Sequence, residues 1–387
     1  MEAENKFIIF GSPSIGELEV QEVIHSLQSG WLGTGPKVAR FEKDFAVYKG
    51  VSENNVAAVN SCTAALHVSL IAGGIGPGDE VITTPMTFAA TINAIIHSGA
   101  TPVLADIDPF TMNIDPVQIE DQISNNTRAI LPVHMAGRPC DMDAIMAIAG
   151  RYNLMVIEDC AHAIETEYHG HKAGAIGDFG CFSFYVTKNV VTGEGGMIVA
   201  RNEGHIARSK ILALHGMSKD AWRRYSDDGY KHYYVVECGF KYNMMDLQAA
   251  IGIHQLARIE ANWQRRQEIW QIYQKAFVGL PVTCPAEVEA GVRHAFHLYT
   301  LLIEKKRCGM SRDQFLNKMT ENNIGVGVHY VSIPEHPYYQ KRFGWRPEDY
   351  PNAMNIGRQT VSLPLSPKLS QQAVEYVVKT VKSLLCN

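Results

Sequence analysis

Gly180-Cys-Phe-Ser-Phe-Tyr-Val-Thr-Lys-Asn-Val-Val-Thr-Gly-Glu-Gly-Gly-Met-Ile-Val-Ala200 reads as an apolar strand, a polar break, a glycine-rich turn and a second apolar strand. The break holds one lysine, Lys188. A lysine set between two buried strands is poorly hydrated and loses its proton more easily than a surface lysine. The neutral amine is the form that makes a Schiff base. Taken alone, a lysine in a polar break is a solvated loop residue, so the rest of the chain decides its meaning.

Working outward, short apolar runs alternate with helical ones. The pattern predicts strands at Val56–Asn60, Glu80–Thr84, Thr101–Asp106, Arg128–His134 and Met155–Asp159, joined by Phe179–Tyr185 and Gly196–Ala200 from the opening stretch. Helices are predicted between the earlier ones, at about 62–74, 87–98, 116–123 and 141–152. This alternation predicts an α/β fold: a mostly parallel seven-stranded sheet with helices on both faces. Ligands in such sheets sit beyond the carboxyl ends of the strands. Before the first strand, residues 14–29 place Ile15, Leu18, Val23, Ile24 and Leu27 at helical spacing, with Ser14 as N-cap and Gly30 as stop; a second amphipathic helix is predicted at 37–49. After Ala200 the pattern predicts one long helix from Asp246 to about Phe277. Strands near Ala295–Ile303 and Gly325–Tyr330 and helices near Ser311–Asn322 and Ser370–Leu385 follow. The 387 residues exceed one typical core and predict two domains: a large ligand-binding α/β domain over 1–250, and a connecting helix with a small C-terminal α+β domain over 251–387.

Composition narrows the function. A hydrophobic content of 46% with 19% charged residues excludes disorder. The net charge of -5, with no extended basic run, argues against nucleic-acid binding. No apolar run reaches a membrane span, and the N-terminus lacks a signal-peptide pattern. The eight cysteines form no C-x-x-C pair, which fits reduced thiols in a cytoplasmic protein better than a disulfide or zinc framework.

The strand ends carry the chemistry. Val56–Asn60 runs into Ser61-Cys-Thr63 at a helix start, whose free N–H groups and partial positive charge suit phosphate. Glu80–Thr84 is followed by Phe88, an aromatic able to stack on a planar ligand. Met155–Asp159 ends on a carboxylate, with His162 just beyond. Each feature has a plain structural alternative: a Ser/Thr cap, a core phenylalanine, a carboxylate bonded to a loop amide. Together with Lys188 they match one ligand, pyridoxal 5'-phosphate, with Asp159 keeping the pyridine nitrogen protonated. The histidines His134, His162, His169 and His171 lack compact metal-ligand spacing, so no metal is expected. No GxGxxG follows the first strand, which argues against a nicotinamide enzyme.

Several segments resemble one family along nearly the whole chain. They are Ser29-Gly-Trp-Leu-Gly-Thr-Gly-Pro36, Gly78-Asp-Glu-Val-Ile-Thr-Thr-Pro85, Glu158-Asp-Cys-Ala-His-Ala163, Ser183-Phe-Tyr-Val-Thr-Lys-Asn189, Thr192-Gly-Glu-Gly-Gly196, Gly239-Phe-Lys-Tyr-Asn-Met-Met-Asp246 and Ser362-Leu-Pro-Leu365. The family is the DegT/DnrJ/EryC1/StrS aminotransferases, sugar aminotransferases of the aspartate-aminotransferase fold (fold type I). The resemblance implies that Lys188 holds the cofactor through an imine and that Asp159 partners the ring nitrogen. It implies further that His162 contacts the ring, that Cys62, Thr63 and Ser183 form the phosphate cup, and that Phe88 is the stacking aromatic. It also implies a homodimer with shared active sites, in which Gly239–Asp246, with Lys241 and Asn243, reaches the partner's phosphate. Trp31, Thr34, Tyr185 and His329 are the candidate substrate contacts. Three departures stand out. Cys62 replaces a glycine found in many members; Lys241-Tyr242-Asn243 replaces a frequent Asn-Tyr-Arg and resembles the branch that makes 4-amino-4-deoxy-L-arabinose nucleotides; Tyr185-Val186 replaces a frequent His-Pro.

The implied reaction moves an amino group from L-glutamate, leaving 2-oxoglutarate and pyridoxamine phosphate, then on to a nucleotide-linked keto sugar, most simply a 4-keto sugar. Lys188 serves both halves as acid and base. The alternatives are a cyclitol acceptor of the scyllo-inosose type, a pyridoxamine-dependent sugar dehydratase, and a silent cofactor-binding regulator. Lysine at 188, where the dehydratases carry histidine, argues against the dehydratase. The Arg223-Arg224 pair with its neighbouring tyrosines is a candidate grip for the nucleotide diphosphate, or a solvated surface loop.

Overall fold

The seven predicted strands form a single sheet in the computed structural model, which describes residues 7–218 and 233–385. The Arg223-Arg224 pair and Cys386 lie outside the described residues. Two helices lead in, α1 (Glu17–Ser29) and α2 (Pro36–Lys49). Then come β1 (Val56–Val59), α3 (Cys62–Ala72), β2 (Glu80–Thr83), α4 (Ala89–Ser98), β3 (Thr101–Leu104), α5 (Pro116–Asp121), β4 (Thr127–Leu131), α6 (Met142–Tyr152) and β5 (Met155–Asp159). Two short strands, β6 (Glu167–Tyr168) and β7 (His171–Lys172), precede β8 (Phe179–Ser183), β9 (Gly196–Ala200) and α7 (Glu203–Ala213).

The sheet order is β1-β9-β8-β5-β4-β2-β3; β9 runs antiparallel to both its neighbours, and the remaining pairs are parallel. Side chains alternate between the two faces. Ala57, Val59, Ile157, Cys181 and Ile198 pack with α3 and α7, whereas Val56, Ala58, Phe182, Met197 and Val199 pack with α2 residues Phe41 and Phe45. Those phenylalanines meet Phe182 and Phe184 edge-on, with centroids 5.1–5.8 Å apart. Burial on both faces explains why the strands read as continuous apolar runs.

Three expectations about the helices need correction. The stripe at Ile15, Leu18, Ile24 and Leu27 faces outward, and the buried residues of α1 are Glu19 and Ser26. Gly16, not Ser14, caps this helix, because the Glu19 carboxylate turns back to accept the Gly16 N–H at 2.9 Å. The long connector is two helices, α8 (Asp246–Ala257) and α9 (Ile259–Phe277), broken at Arg258 (φ -108°, ψ 12°). No proline or glycine marks that break. Arg258 leaves the helical line while its guanidinium pairs with Glu19 and donates to the Ser14 carbonyl.

The last third holds β10 (Val292–Arg293), β11 (Tyr299–Leu302), α10 (Lys305–Cys308), α11 (Arg312–Glu321), α12 (Pro337–Phe343), α13 (Pro351–Gln359), β12 (Thr360–Leu363) and α14 (Gln371–Leu385). The strand predicted at Gly325–Tyr330 is not formed. Its place beside β11 is taken by β12, in an antiparallel pair from Tyr299↔Leu363 to Leu302↔Thr360. Residues 324 and 327 make only isolated bridges, to Ile8 and Ser362. A side chain at Gly325 would press on the Ile8 carbonyl at 3.0 Å, so the segment serves close backbone approach rather than a ladder. Ile8 thereby joins a core made from α9, β11, α11, β12 and α14.

Candidate active site

Nine of the predicted site residues line one cavity of about 510 Å³ at the carboxyl ends of the strands: Cys62, Thr63, Phe88, Asp159, His162, Ser183, Tyr185, Lys188 and His329. One end of the cavity is the start of α3. Ser61 caps the helix by accepting the Ala64 N–H at 3.1 Å, and the amides of Cys62 and Thr63 have no helical carbonyl to reach. The glycines of Thr192–Gly196 make room for this tip. A Cβ on Gly196 would lie 2.5 Å from the Ser61 backbone and 2.7 Å from the Cys62 nitrogen, and Gly193 takes a left-handed φ of 84°. The Cys62 side chain turns inward, with Sγ 3.6 Å from the Cys181 carbonyl and 4.0 Å from Asp159 Oδ1. The Cys62 side chain therefore points away from the cavity-facing amides at the start of α3.

Asp159 ends β5 and is buried. Its Oδ1 accepts the Ala161 N–H at 3.0 Å and its Oδ2 the Thr91 hydroxyl at 2.9 Å, and no cation lies within ion-pair distance among the described residues. Burial pushes its carboxyl above the usual range, against the two hydrogen bonds and the Lys188 charge. A buried carboxylate with only neutral donors is a place for a cationic N–H.

Lys188 stands in the break after β8, tied by its own N–H to the Tyr185 carbonyl at 2.8 Å. Its side chain is half-buried in the cavity, and its amine has no hydrogen-bond or ion-pair partner among the described residues. Burial brings its ammonium down to about 8, opposed by Cys62 and Asp159. The following residue is clamped: Asn189 Nδ2 donates to both Glu165 oxygens at 2.9 Å and to the Ala295 carbonyl at 3.0 Å, while its Oδ1 meets His297 Nδ1 at 2.9 Å. Sequence reading did not reach this clamp, because Glu165 and His297 are distant in the chain and neither lies at a strand end.

His162 stacks on His297 with centroids 4.4 Å apart, and its Nε2 meets the Tyr330 hydroxyl at 3.0 Å. Its Nδ1 is buried with no hydrogen-bond partner among the described residues. Burial, then the Lys188 and His329 charges, hold the ring well below the usual histidine range, so it is neutral. Phe88 is 61% exposed at the mouth, 5.8 Å from Tyr330, which excludes a core role. Burial likewise holds His329 at about 4, with Nδ1 2.9 Å from the Ser362 hydroxyl. Thr87, Thr91, Glu194 and Tyr330 also line the cavity, and sequence reading missed them.

Lys241, Asn243, Trp31 and Thr34 do not line it. Asn243 donates to the Thr34 hydroxyl at 2.6 Å and pairs with Val59, while Lys241 and Trp31 are exposed. His134, Glu158 and Cys160 bring ligand atoms within 4.8 Å of one another. The lone pairs of two of them are spent, however: Glu158 accepts from His134 and from the amides of Gly174, Ile176 and Gly177, and His134 Nδ1 accepts the Cys140 N–H.

The cavity thus offers an amide tip and Ser183 for a phosphate, an uncompensated carboxylate for a ring N–H, and a partnerless amine for a carbonyl. Pyridoxal phosphate fits these residues. Known proteins agree. The chain is 49% identical over 386 residues to the spore coat polysaccharide biosynthesis protein SpsC of Bacillus subtilis, covering 100% of this chain and 99% of that one. The solved putative sugar aminotransferase Spr1654 of Streptococcus pneumoniae, in its PLP form, matches with a TM-score of 0.90 and 33% identity over 98% of each chain; a PMP form matches at 0.89. Helicobacter pylori PseC, an aminotransferase involved in the biosynthesis of pseudoaminic acid, matches with a TM-score of 0.90 and 26% identity over 98% of this chain and 99% of that one. The fold is accordingly that of the aminotransferases. With the family's sequence model matched over residues 13–382, the chain belongs to the DegT/DnrJ/EryC1/StrS aminotransferase family and is an enzyme of that family.

Proposed function

We propose that the protein is a pyridoxal-phosphate-dependent aminotransferase that takes an amino group from L-glutamate and delivers it to a keto group of a nucleotide-linked deoxy sugar, most simply a 4-keto sugar. The observation that carries this reading is the pairing, in one cavity, of a Lys188 amine and a buried Asp159 carboxylate that, among the described residues, have no ion-pair partner. The sugar rests on likeness to SpsC, a spore coat polysaccharide biosynthesis protein, to the putative sugar aminotransferase Spr1654, and to PseC, an aminotransferase involved in the biosynthesis of pseudoaminic acid.

Pyridoxal phosphate, when bound, supplies an electron sink and carries the amino group between the two half-reactions. The chain's own residues do the rest. Cys62 and Thr63 amides and Ser183 hold the phosphate. Asp159 holds a proton on the ring nitrogen. Lys188 anchors the cofactor, and its Nζ, poised near neutrality, takes the donor's α-proton and returns a proton on the acceptor side. Neutral His162 and the Phe88 ring offer flat, uncharged faces for a planar ring. In a dehydratase the Lys188 position is a histidine, and the lysine here favours transamination.

The acting unit is a homodimer with shared sites. The outward apolar stripe of α1, exposed Trp31 and Leu32, and the Lys241–Met245 segment with exposed Met245 supply a face for a second copy. That copy would bring Lys241 and Asn243 to this cavity, and Trp31 and Thr34 beside them. A two-domain division near residue 250 and a cytoplasmic location complete the proposal; the seven described cysteines carry no disulfide.

The test is a spectrum and a screen. Protein loaded with cofactor should absorb near the visible–ultraviolet boundary and bleach with L-glutamate. UDP-, dTDP- and GDP-linked 3- and 4-keto sugars and scyllo-inosose are then offered as acceptors. Turnover of a nucleotide-linked 4-keto sugar supports the reading. Turnover of scyllo-inosose alone would move it to a cyclitol, and no bleaching would remove glutamate as donor.

A further inference from the structure

Asp159 is held by two threonines that the cavity shares with it. Thr87 lies just before the N-cap of α4, and Thr91 stands in its first turn, so the entry of the chain into the helix brings the two side chains together. Thr91 is fully buried and Thr87 nearly so. Thr91 Oγ1 lies 2.9 Å from Asp159 Oδ2, and Thr87 Oγ1 lies 2.8 Å from Thr91 Oγ1.

The direction of this chain follows from proton counting. An ionised carboxylate only accepts, so Thr91 donates its single hydroxyl proton to Asp159. Thr91 then has only lone pairs left for Thr87, so Thr87 must donate to Thr91. Each link polarises the next in a low-dielectric setting. A buried helical threonine ordinarily returns its proton to a carbonyl one turn back; Thr91 spends it on Asp159. The other oxygen, Oδ1, takes the Ala161 N–H, so the carboxylate is fixed from both sides.

We propose that Thr91, backed by Thr87, is a positioning residue for Asp159: the Thr87→Thr91→Asp159 hydroxyl relay keeps that carboxylate ionised and oriented for a cationic ring N–H. The proposal rests on the pyridoxal phosphate reading for its purpose, but the relay itself can be measured without cofactor. Neutral donors favour the ionised form, so removing Thr91's hydroxyl makes Asp159 easier to protonate. A protonated Asp159 no longer compensates a cationic ring N–H.

Thr91→Val keeps the shape and removes the hydroxyl, Thr91→Ser restores it, and Thr87→Val removes only the outer link. Carbon-13 NMR of the Asp159 carboxyl in apoprotein, assigned with Asp159→Asn, reads the first effect. Thr91→Val should raise the titration midpoint by about one pH unit, Thr87→Val by less, and Thr91→Ser should return it. In loaded protein Thr91→Val should lower kcat with glutamate about tenfold and leave KM within about threefold, because the relay acts on the ring's charge and not on substrate contacts. An unmoved Asp159 midpoint in Thr91→Val overturns the relay, as does a well-folded Thr91→Ser that fails to restore it. If Thr91→Val does not fold, an unchanged midpoint in Thr87→Val overturns it instead. A moved midpoint in native-like apoprotein with no cofactor band in the native protein would uphold the relay and refute the cofactor reading.

Discussion

Lys188 should react as an acidic lysine. Burial in the cavity brings its ammonium down to about 8, with Cys62 and Asp159 opposing. Near pH 7 about one amine in ten is then uncharged, against about one in 3,000 for a lysine at its usual value, a reactive fraction larger by about 300-fold. The sign is set by which form attacks: only the neutral amine adds to a carbonyl, so attachment speeds up as pH rises and levels off above the group's midpoint. Stopped-flow mixing of apoprotein with pyridoxal phosphate, with N-acetyl-lysine measured in parallel to remove the aldehyde's own titration, reads this directly. The rate constant should rise with pH and level off just above 8. Asp159→Asn removes a negative charge that favours the ammonium, and the plateau should begin at lower pH. A rate still climbing tenfold per pH unit near pH 9.5 would show an ordinary, hydrated lysine and refute the argument from burial. Lys188→Ala should form no visible band, and a retained band would place the attachment elsewhere.

Gly196→Ala puts a methyl 2.5 Å from the Ser61 backbone, which has no flexible tip to move aside. Overpacking of this kind costs about 1–3 kcal/mol, here where the start of β9 packs on the start of α3, so apparent affinity for pyridoxal phosphate should fall about tenfold or more in a fluorescence titration; native affinity would show that this contact is soft. Leu18→Glu with Leu27→Glu charges the outward stripe of α1 and should convert a dimer to monomers in sedimentation velocity, with activity lost in step. A dimer that persists would place the interface on another face.

Much of the large sheet was legible because its residues obey local rules. Each of its seven strands is a largely apolar run with most of its residues out of solvent, and each predicted run became a strand within a few residues. Strand ends in a parallel sheet converge, so Cys62, Thr63, Phe88, Asp159 and Lys188 were readable as one set before any coordinates. The C-terminal third was less legible. Thr360–Leu363 pairs with Tyr299–Leu302 across more than fifty residues, and the stronger local strand signal at Gly325–Tyr330 lost because the N-terminal segment lies against it. The break at Arg258 has no local signal either, since it answers to Glu19 and Ser14.

The sequence by itself determined the strand–helix alternation, the lysine in its glycine-rich setting and the carboxylate at a strand end, because period, turn chemistry and strand polarity are local properties. Only the tertiary structure decided what surrounds those groups. It left Asp159 without a cation among the described residues and joined it to Thr91 and Thr87; it clamped Asn189 between Glu165 and His297; it turned the apolar stripe of α1 outward. These depend on which distant side chains share a buried space, and burial is what sets the charge of Lys188 and Asp159.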